Sequence, residues 1–356
     1  MTSLPFRIGA LAAILAAAAP VAAQQPQARV LPVSADAPFA HANSGLTLPT
    51  RLAGLPRTQV REFEAPELDV VGTYADDGRE LTVYVYRSLA GAVPVWFDRA
   101  TWAIESRDGW GKLTPIAAAP VTIAPPGRSV ASGLAQAWSV EGGPYRATSV
   151  ALLPLGDWLV KLRYSSKTED GAQAMAQVRA ALAAMAWPAA AKDGPAAAVV
   201  TACPQPLRFD GSAKVMKADQ ASVMMSALMA GAIADPELRA KATPAASWCR
   251  DPVAVQMGAV YRADASTTSY LLALSDAGRG VSVNPSMASQ IDKTAKPGWG
   301  VDLILPGRTM NYPQFDRLPA PQQVLAALSG PPTSSVTTWG PKRQVNLPSD
   351  LFKSRK

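Results

Sequence analysis

The chain has very few of the side chains on which most hydrolytic enzymes depend. Histidine occurs once among the 356 residues, as His41, and cysteine occurs only twice. A Ser-His-Asp or Cys-His site needs an imidazole held beside its nucleophile, but His41 stands in an Ala/Pro-rich leader. A zinc protease of the His-Glu-x-x-His type is excluded for the same reason. The composition therefore argues against familiar hydrolysis of amides and esters.

Other catalytic signatures are missing as well. The sequence has no Gly-x-Ser-x-Gly elbow, no serine three residues before a lysine, no phosphate-binding loop and no dinucleotide fingerprint. Carboxylates remain, because glycoside cleavage needs only two of them. Glu62 with Glu64, and Glu67 with Asp69, have the spacing that places both members on one strand face, although such pairs are ordinary on a solvated edge. We assign no catalytic residue.

Long apolar runs are confined to the start of the chain. Arg7 precedes an apolar stretch over residues 8–19 that is too short for a membrane anchor, and small residues lead to Ala23. This arrangement predicts a signal peptide over residues 1–23, cleaved before Gln24. No later stretch approaches the roughly 20 apolar residues of a spanning helix. We expect a periplasmic or secreted protein with no membrane span after cleavage.

The excess of positive charge is mild, with 34 basic and 27 acidic residues and a formal net charge of +7. It is not clustered into the basic stripe that binds nucleic acid, and an exported protein seldom meets nucleic acid. No nucleic-acid partner is expected. A polysaccharide, a lipid surface or another envelope protein fits this charge better, although simple solubility also explains it.

The two cysteines, Cys203 and Cys249, are expected to form a disulfide, because an oxidising compartment favours pairing of the only two thiols in the chain. A thiol metal site is disfavoured, since the sequence has no Cys-x-x-Cys and its histidine is distant.

Two Ala/Pro-rich stretches without periodicity divide the chain. Alternating apolar residues, turn signals and a few amphipathic helices predict an α+β fold with two domains, each a mainly antiparallel sheet with packed helices. The predicted order is a signal peptide (1–23), a flexible lead-in (24–48), a first domain (49–187), a linker (188–198), a smaller second domain holding the disulfide (199–330) and a basic tail (331–356).

Two strand segments in the first domain each lead towards a helix. LTVYVYR, over residues 81–87, precedes a helix predicted over 94–106, and DWLVKLRYSS, over 157–166, precedes one predicted over 169–185. Through residues 49–187 this order resembles the fold family named after the photosystem subunit PsbP and the nuclear transport factor Mog1. It is also similar to uncharacterised exported proteobacterial proteins with a Tyr-Val-Tyr strand. The resemblance implies a scaffold for accessory and docking roles and no catalytic motif.

Two groups of side chains are candidates for binding. Lys161 and Arg163 share one face of their predicted strand, which indicates either an anion site or a solvated face. Trp96, Trp102 and Trp110 lie around the first helix and are typical either of an aromatic surface for sugar or lipid or of core and rim packing.

Methionines cluster in the predicted helix of the second domain. Met225 and Met229 lie one turn apart, and thioethers are ligands that Cu(I) prefers. Methionine also fills irregular core gaps, and the apolar Leu228 on the same helix favours that interpretation. We therefore expect no metal and no cofactor.

The sequence favours a non-catalytic envelope or secreted accessory protein with an unidentified ligand. The competing hypothesis is a carbohydrate-active hydrolase that uses carboxylates, which requires two acidic side chains about 5 to 9.5 Å apart in a cleft.

Overall fold

The first half of the chain is built from strands and two helices. The computed structural model describes residues 28–189, 193–217, 220–287 and 296–347, so the predicted signal peptide lies outside the described residues. The elements of this half are β1 (Arg29–Val30), β2 (Phe39–Ala40), β3 (Thr47–Leu48), β4 (Arg51–Leu52), β5 (Leu55–Glu64), β6 (Asp69–Ala75), β7 (Arg79–Arg87), α1 (Val93–Glu105), β8 (Lys112–Pro115), β9 (Val121–Ile123), β10 (Gly133–Glu141), β11 (Ala147–Leu155), β12 (Trp158–Ser166) and α2 (Gly171–Ala184).

The second half continues with shorter strands. Its elements are β13 (Thr201–Ala202), α3 (Gln220–Ile233), α4 (Pro236–Lys241), β14 (Trp248–Arg250), β15 (Ala259–Ala263), β16 (Tyr270–Ala273), β17 (Gly280–Pro285), β18 (Trp299–Ile304), β19 (Arg308–Phe315), α5 (Pro321–Ala327), β20 (Ser334–Thr337) and β21 (Val345–Asn346).

The fold is mainly β, so the predicted α+β class is wrong. Strands hold 36% of the described residues and helices 17%, and these residues form a ten-stranded sheet, a nine-stranded sheet and the small pair β2 with β3. The expectation failed because several strands lack apolar alternation: β19 buries the polar side chains Thr309 and Asn311, and two-residue strands such as β1 and β21 are too short to show a period of two. Strands therefore also form where the sequence predicts only a lead-in and a tail.

The first sheet has the order β1-β5-β6-β7-β12-β11-β10-β8, with β4 beside β5 and β9 beside β10. Its pairs are antiparallel, and residues alternate between its two faces. Val83, Val85, Val160 and Leu162 lie on the face that α2 covers, in a core with Met175 and Val178 of that helix. Helix α1 covers part of the opposite face over β10 and β11.

Residues 28–48, predicted as a flexible lead-in, contribute to the first core. Leu46 and Leu48 are fully buried there, and β1 pairs with β5. His41 is also buried, with Ser44 donating its backbone N–H to Nδ1, so Nε2 donates to the carbonyl of Glu67 at 2.8 Å. Burial lowers the pKa of His41. The single imidazole therefore holds this segment against the sheet.

The second sheet follows chain order from β13 to β21. Only its first pair, β13 with β14, is parallel among the described strands. Its core contains Val260, Leu272, Val283 and Val301, against which Val324 of α5 packs. Strands β20 and β21 come from the predicted basic tail, whose residues 348–356 lie outside the described part of the chain.

Cys203 and Cys249 form a disulfide with a Cα–Cα distance of 4.8 Å, which confirms the predicted pairing. Cys249 lies in β14, and Cys203 follows the neighbouring strand β13. Beside the bridge, the buried Arg262 pairs with Asp251 at 3.3 Å and donates to Cys203 Sγ at 3.2 Å. The bridge therefore ties the edge strand β13 to its neighbour β14 at the start of the second sheet.

The two sheets meet across α1 and a hairpin. Trp96 and Phe97 of α1 lie in one buried cluster with Tyr261 and Leu271 of the second sheet. The loop 274–279 between β16 and β17, which we term the docking hairpin, reaches the α1 face of the first sheet.

An ion pair fixes the docking hairpin on the first sheet. Lys161, only 3% exposed, donates to the Asp276 carboxylate at 2.7 Å, and Tyr86 donates to the Asp276 carbonyl at 3.2 Å. Burial alone would raise the pKa of Asp276, but the positive charges of Lys161 and Arg163 outweigh it and lower that pKa. Arg279, at the end of the hairpin, pairs with Asp69 at 2.9 Å.

Removing the disulfide should destabilise the protein. We expect the Cys203→Ala/Cys249→Ala variant to lose about 4 kcal/mol of unfolding free energy, because the bridge closes a long loop in the unfolded chain. Urea denaturation of both proteins measures this loss. Reduced wild type should match the variant, and two reactive thiols per chain in unreduced, denatured wild type would show that the bridge is absent.

Breaking the buried ion pair should be costly and dependent on pH. We expect Lys161→Met to lower the unfolding free energy by about 3 kcal/mol at pH 7, because it leaves the Asp276 charge unpaired. The native pKa of Asp276 lies below its ordinary value of 3.8, so stability from the pair is present at neutral pH and is lost as the pH falls through the native pKa.

Urea denaturation at pH 7 and pH 3 tests this pH dependence. The difference in unfolding free energy between wild type and Lys161→Met should be smaller at pH 3. Adding Asp276→Asn to the variant should restore part of the stability at pH 7. An equal loss at both pH values would contradict the role of this pair.

Candidate functional site

A polar cavity of about 340 Å³ opens on the α1 face of the first sheet, beside the docking hairpin. We term it the Arg163 pocket. Its lining comes from β7, β12, the loop after α1 and the turn between β10 and β11. The lining residues are Glu80, Thr82, Tyr84, Arg107, Asp108, Gly109, Trp110, Pro144, Tyr145, Arg163 and Ser165.

Strand register builds the floor of the pocket. In the antiparallel pair of β7 and β12, Arg163 lies opposite Thr82 and Ser165 lies opposite Glu80. Directly opposed residues point to the same face, so two strands place a guanidinium, hydroxyls and a carboxylate side by side. Tyr84 follows on the same face, opposite Lys161.

Arg163 provides the free hydrogen-bonding capacity of the floor. Its side chain is half-buried, and within the described part of the chain it makes no hydrogen bond and no ion pair. A guanidinium carries five N–H donors in a planar fork that matches a carboxylate or phosphate. The pocket therefore presents an unpaired cation in a partly desolvated position.

Aromatic rings form one wall. Trp110 is buried and stacks on the half-buried Tyr145, with ring centroids 5.6 Å apart and planes at 27°. Arg107 lies over Trp110 at 5.6 Å from the ring centroid. The stack gives the wall a rigid apolar surface beside the polar floor, an arrangement that suits a ligand with both a ring face and hydrogen-bonding groups.

Two glycines allow the wall to form. A Cβ on Gly143 would lie 2.0 Å from the carbonyl oxygen of Trp110, and a Cβ on Gly111 would lie 2.2 Å from the carbonyl oxygen of Glu141. Gly111 also has a φ of 80°, which favours glycine. Because both backbones approach this closely, only glycine fits where the two loops cross.

The predicted tryptophan surface does not form as one site. Trp96 is fully buried and donates to the carbonyl of Ala90 at 2.7 Å, while Trp102 is 47% exposed beneath Arg99. Of the three tryptophans, only Trp110 lines the pocket. Sequence reasoning missed Tyr145, whose ring stacks on Trp110. The signal in the sequence is Gly111 and Gly143, which mark the close approach of the two loop backbones.

The two predicted cations have different surroundings. Lys161 is covered by the docking hairpin and paired with Asp276, whereas Arg163 lies two residues further along and lines the pocket. Their shared strand face is therefore divided between an internal contact and an open site. Sequence reasoning also missed Thr82, Tyr84 and Ser165, because their position depends on the pairing of β7 with β12.

The four carboxylates considered above for glycoside cleavage are engaged in structural contacts. Glu62 pairs with Arg29 at 2.7 Å. Glu64 and Asp69 face each other across β5 and β6 and both bind Arg279, at 3.2 and 2.9 Å. Burial raises the pKa of Asp69, although Arg279 opposes the rise.

The fourth candidate, Glu67, accepts the backbone N–H of Ala42 at 2.8 Å. Arg279 therefore occupies the space between Glu64 and Asp69 that a glycosidic bond would need. Glu62 and Glu67 hold the segment 29–42 through Arg29 and Ala42.

The methionines of α3 are not core residues as expected. Met225 is 38% exposed and Leu228 is 60% exposed, whereas Val223, Ala227 and Ala230 form the buried stripe. The core interpretation failed because α3 is apolar on all sides, so periodicity does not indicate which side faces inward.

The described residues contain no cluster of three or more His, Cys, Asp or Glu side chains that would hold a metal ion. Within the same residues, no helix combines the length and apolar character needed to cross a bilayer.

A larger cavity of about 420 Å³ lies between the two sheets. Its walls come mainly from small residues of 88–94, 195–198 and 242–248. Its charged groups already pair with each other, because Arg239 contacts Asp157. The Arg163 pocket is the better candidate, since its central cation has no such partner.

No protein-family model, curated protein or solved structure matches this chain. The site is therefore interpreted from its own geometry.

A methyl group at the loop crossing should open the aromatic wall. Gly143→Ala places a Cβ against the Trp110 carbonyl, so we expect a loss of about 1 to 3 kcal/mol in unfolding free energy and a weaker near-ultraviolet signal from the Trp110–Tyr145 stack. Gly78→Ala is the control, because a Cβ there meets nothing within 4 Å. Equal effects of both variants on the near-ultraviolet circular dichroism would contradict this account of the wall.

Proposed function

We propose that this protein is a non-catalytic, exported accessory protein that binds a ring-bearing anion in the Arg163 pocket, most suitably an acidic sugar unit of a polysaccharide. The observation that carries the proposal is the half-buried Arg163, which lacks a partner among the described residues and lies opposite Thr82. A bound carboxylate would satisfy its donors, and charge-assisted hydrogen bonds of this kind are the strong ones.

The wall and floor match the two sides of such a ligand. Sugar rings present an apolar face that packs on aromatic side chains, and the half-buried Tyr145, supported by the buried Trp110, supplies that surface. The hydroxyls of Thr82, Tyr84 and Ser165 line the same cavity and are able to bond sugar hydroxyls. The cavity of about 340 Å³ is within the usual size of a small-molecule site.

Export to the periplasm or external medium is part of the proposal. It is supported by the signal-peptide pattern of residues 1–23 and by the disulfide, which persists in oxidising compartments. The proposal retains the resemblance of residues 49–187 to the PsbP and Mog1 family, because α1 and α2 pack on opposite faces of one antiparallel sheet. An accessory role agrees with that resemblance.

A carboxylate-dependent hydrolase is the second candidate, because Glu80 and Asp108 both line the Arg163 pocket. Both side chains are exposed, whereas the acid of a glycosidase relies on a less solvated setting that favours its protonated form. Binding without turnover is therefore favoured. Release of reducing ends from an acidic polysaccharide by wild type, lost in Glu80→Gln, would establish the hydrolase instead.

Binding to uronic acid oligosaccharides tests the proposal. We expect calorimetry to show binding of trigalacturonate and no comparable binding of the neutral maltotriose. Arg163→Met should weaken trigalacturonate binding by roughly ten- to a hundredfold, because a hydrogen bond to a charged group contributes about 1.5 to 3 kcal/mol.

Arg146→Met is the matched control, since Arg146 is an exposed cation next to Tyr145 that does not line the pocket. It should leave the affinity unchanged. Equal binding of the neutral trisaccharide, or equal losses in the two arginine variants, would contradict a specific carboxylate contact.

A further inference from the structure

Helix α3 presents two different stripes to the second sheet. Val223, Ala227 and Ala230 are buried, and the helix lies along β20, where Val336 packs against Ala227 and Ala230. The neighbouring stripe carries Met225 and Met229 and faces a separate space. The helix is therefore fixed by its small residues, and its methionines are not needed to fill the contact.

The methionine stripe lines a cavity of about 200 Å³ between α3 and strands β17, β18 and β19, which we term the methionine cavity. Met287, just after β17, lines the same cavity. Its lining residues are Ser222, Met225, Ser226, Met229, Asn284, Pro285, Ser286, Met287, Gly300, Asp302 and Gln314. Three thioethers from two separate parts of the chain thus meet around one opening.

The surroundings of this cavity suit a soft cation. Thioether sulfur is neutral, polarizable and prefers Cu(I) among biological metals. Asp302 contributes a carboxylate, which Asn311 orients with a hydrogen bond of 2.6 Å. No lysine or arginine lines the cavity, so nothing in its described lining competes for that negative charge. Hard divalent ions are disfavoured, because Asp302 is the single carboxylate in the described lining, whereas such ions are commonly held by more than one.

Packing alone does not account for these side chains. A methionine that fills a core gap is buried, but Met225 is 38% exposed and opens onto the cavity. Gly300 lines the opposite wall, where a larger side chain would reduce the space. Both observations leave the cavity beside these side chains open to a small ion from solvent.

We propose that Met225, Met229 and Met287 bind one soft monovalent metal ion, Cu(I) in biological settings, with Asp302 supplying the compensating charge. The site lies on the second sheet, apart from the Arg163 pocket, and does not depend on the function proposed for that pocket. No redox step is involved, because the ion binds and leaves as Cu(I).

Anaerobic competition with the Cu(I) chelator bicinchoninate tests the site. We expect wild type to retain one Cu(I) per chain and Met225→Leu/Met229→Leu to lose at least roughly tenfold in affinity, since even changes behind a metal ligand cost about ten- to a hundredfold. Met224→Leu is the matched control, because Met224 is 39% exposed on the same helix but does not line the cavity. It should bind as wild type does.

A second readout identifies the ligands directly. In protein with 13C-labelled methionine methyl groups, titration with Ag(I), a redox-inert ion of similar softness, should shift the resonances of Met225, Met229 and Met287 together at one equivalent. The proposal is overturned if wild type competes no better than the double variant, if Met224→Leu loses as much affinity, or if Ag(I) shifts all exposed methionines alike.

Discussion

The buried contact between Lys161 and Asp276 determines how the rest of the structure is arranged. Lys161 lies on a central strand of the first sheet, and a desolvated ammonium there is tolerated only when a negative charge meets it. The docking hairpin supplies that charge, so this contact fixes the position of the second sheet against the first. Two neighbouring contacts depend on this placement, one between Tyr86 and Asp276 and one between Arg279 of the hairpin and Asp69 of the first sheet.

Helix α1 and the docking hairpin each cover part of one face of the first sheet, and the part left uncovered forms the Arg163 pocket. Helix α1 lies over β10 and β11, and the docking hairpin covers Lys161, which leaves Arg163 and its neighbours between them. Adjacent positions on one strand face therefore have opposite roles: Lys161 holds the structure together and Arg163 is free to bind. The aromatic wall then closes the pocket, because glycines let two loops cross at backbone contact distance.

Sequence reasoning predicted the features that depend on local pattern or simple counting. The alternation of side chains along a strand placed Lys161 and Arg163 on one face, and the presence of just two cysteines predicted the disulfide. It failed where tertiary contacts decide the outcome. No local sequence pattern shows that Asp276 covers Lys161 and leaves Arg163 open, or that Tyr145 stacks on Trp110. The mainly β class was missed because β19 buries polar side chains and so lacks apolar alternation, and because two-residue strands form only against an existing sheet edge.

The central claim is that Lys161 serves the fold while Arg163 serves a ligand. A crystal structure of the protein with trigalacturonate tests it most directly. The account predicts a ligand carboxylate within hydrogen-bond distance of the Arg163 guanidinium, a sugar ring against Tyr145, and an unchanged Lys161–Asp276 pair. A ligand bound elsewhere, or a carboxylate that displaces Asp276 from Lys161, would contradict it.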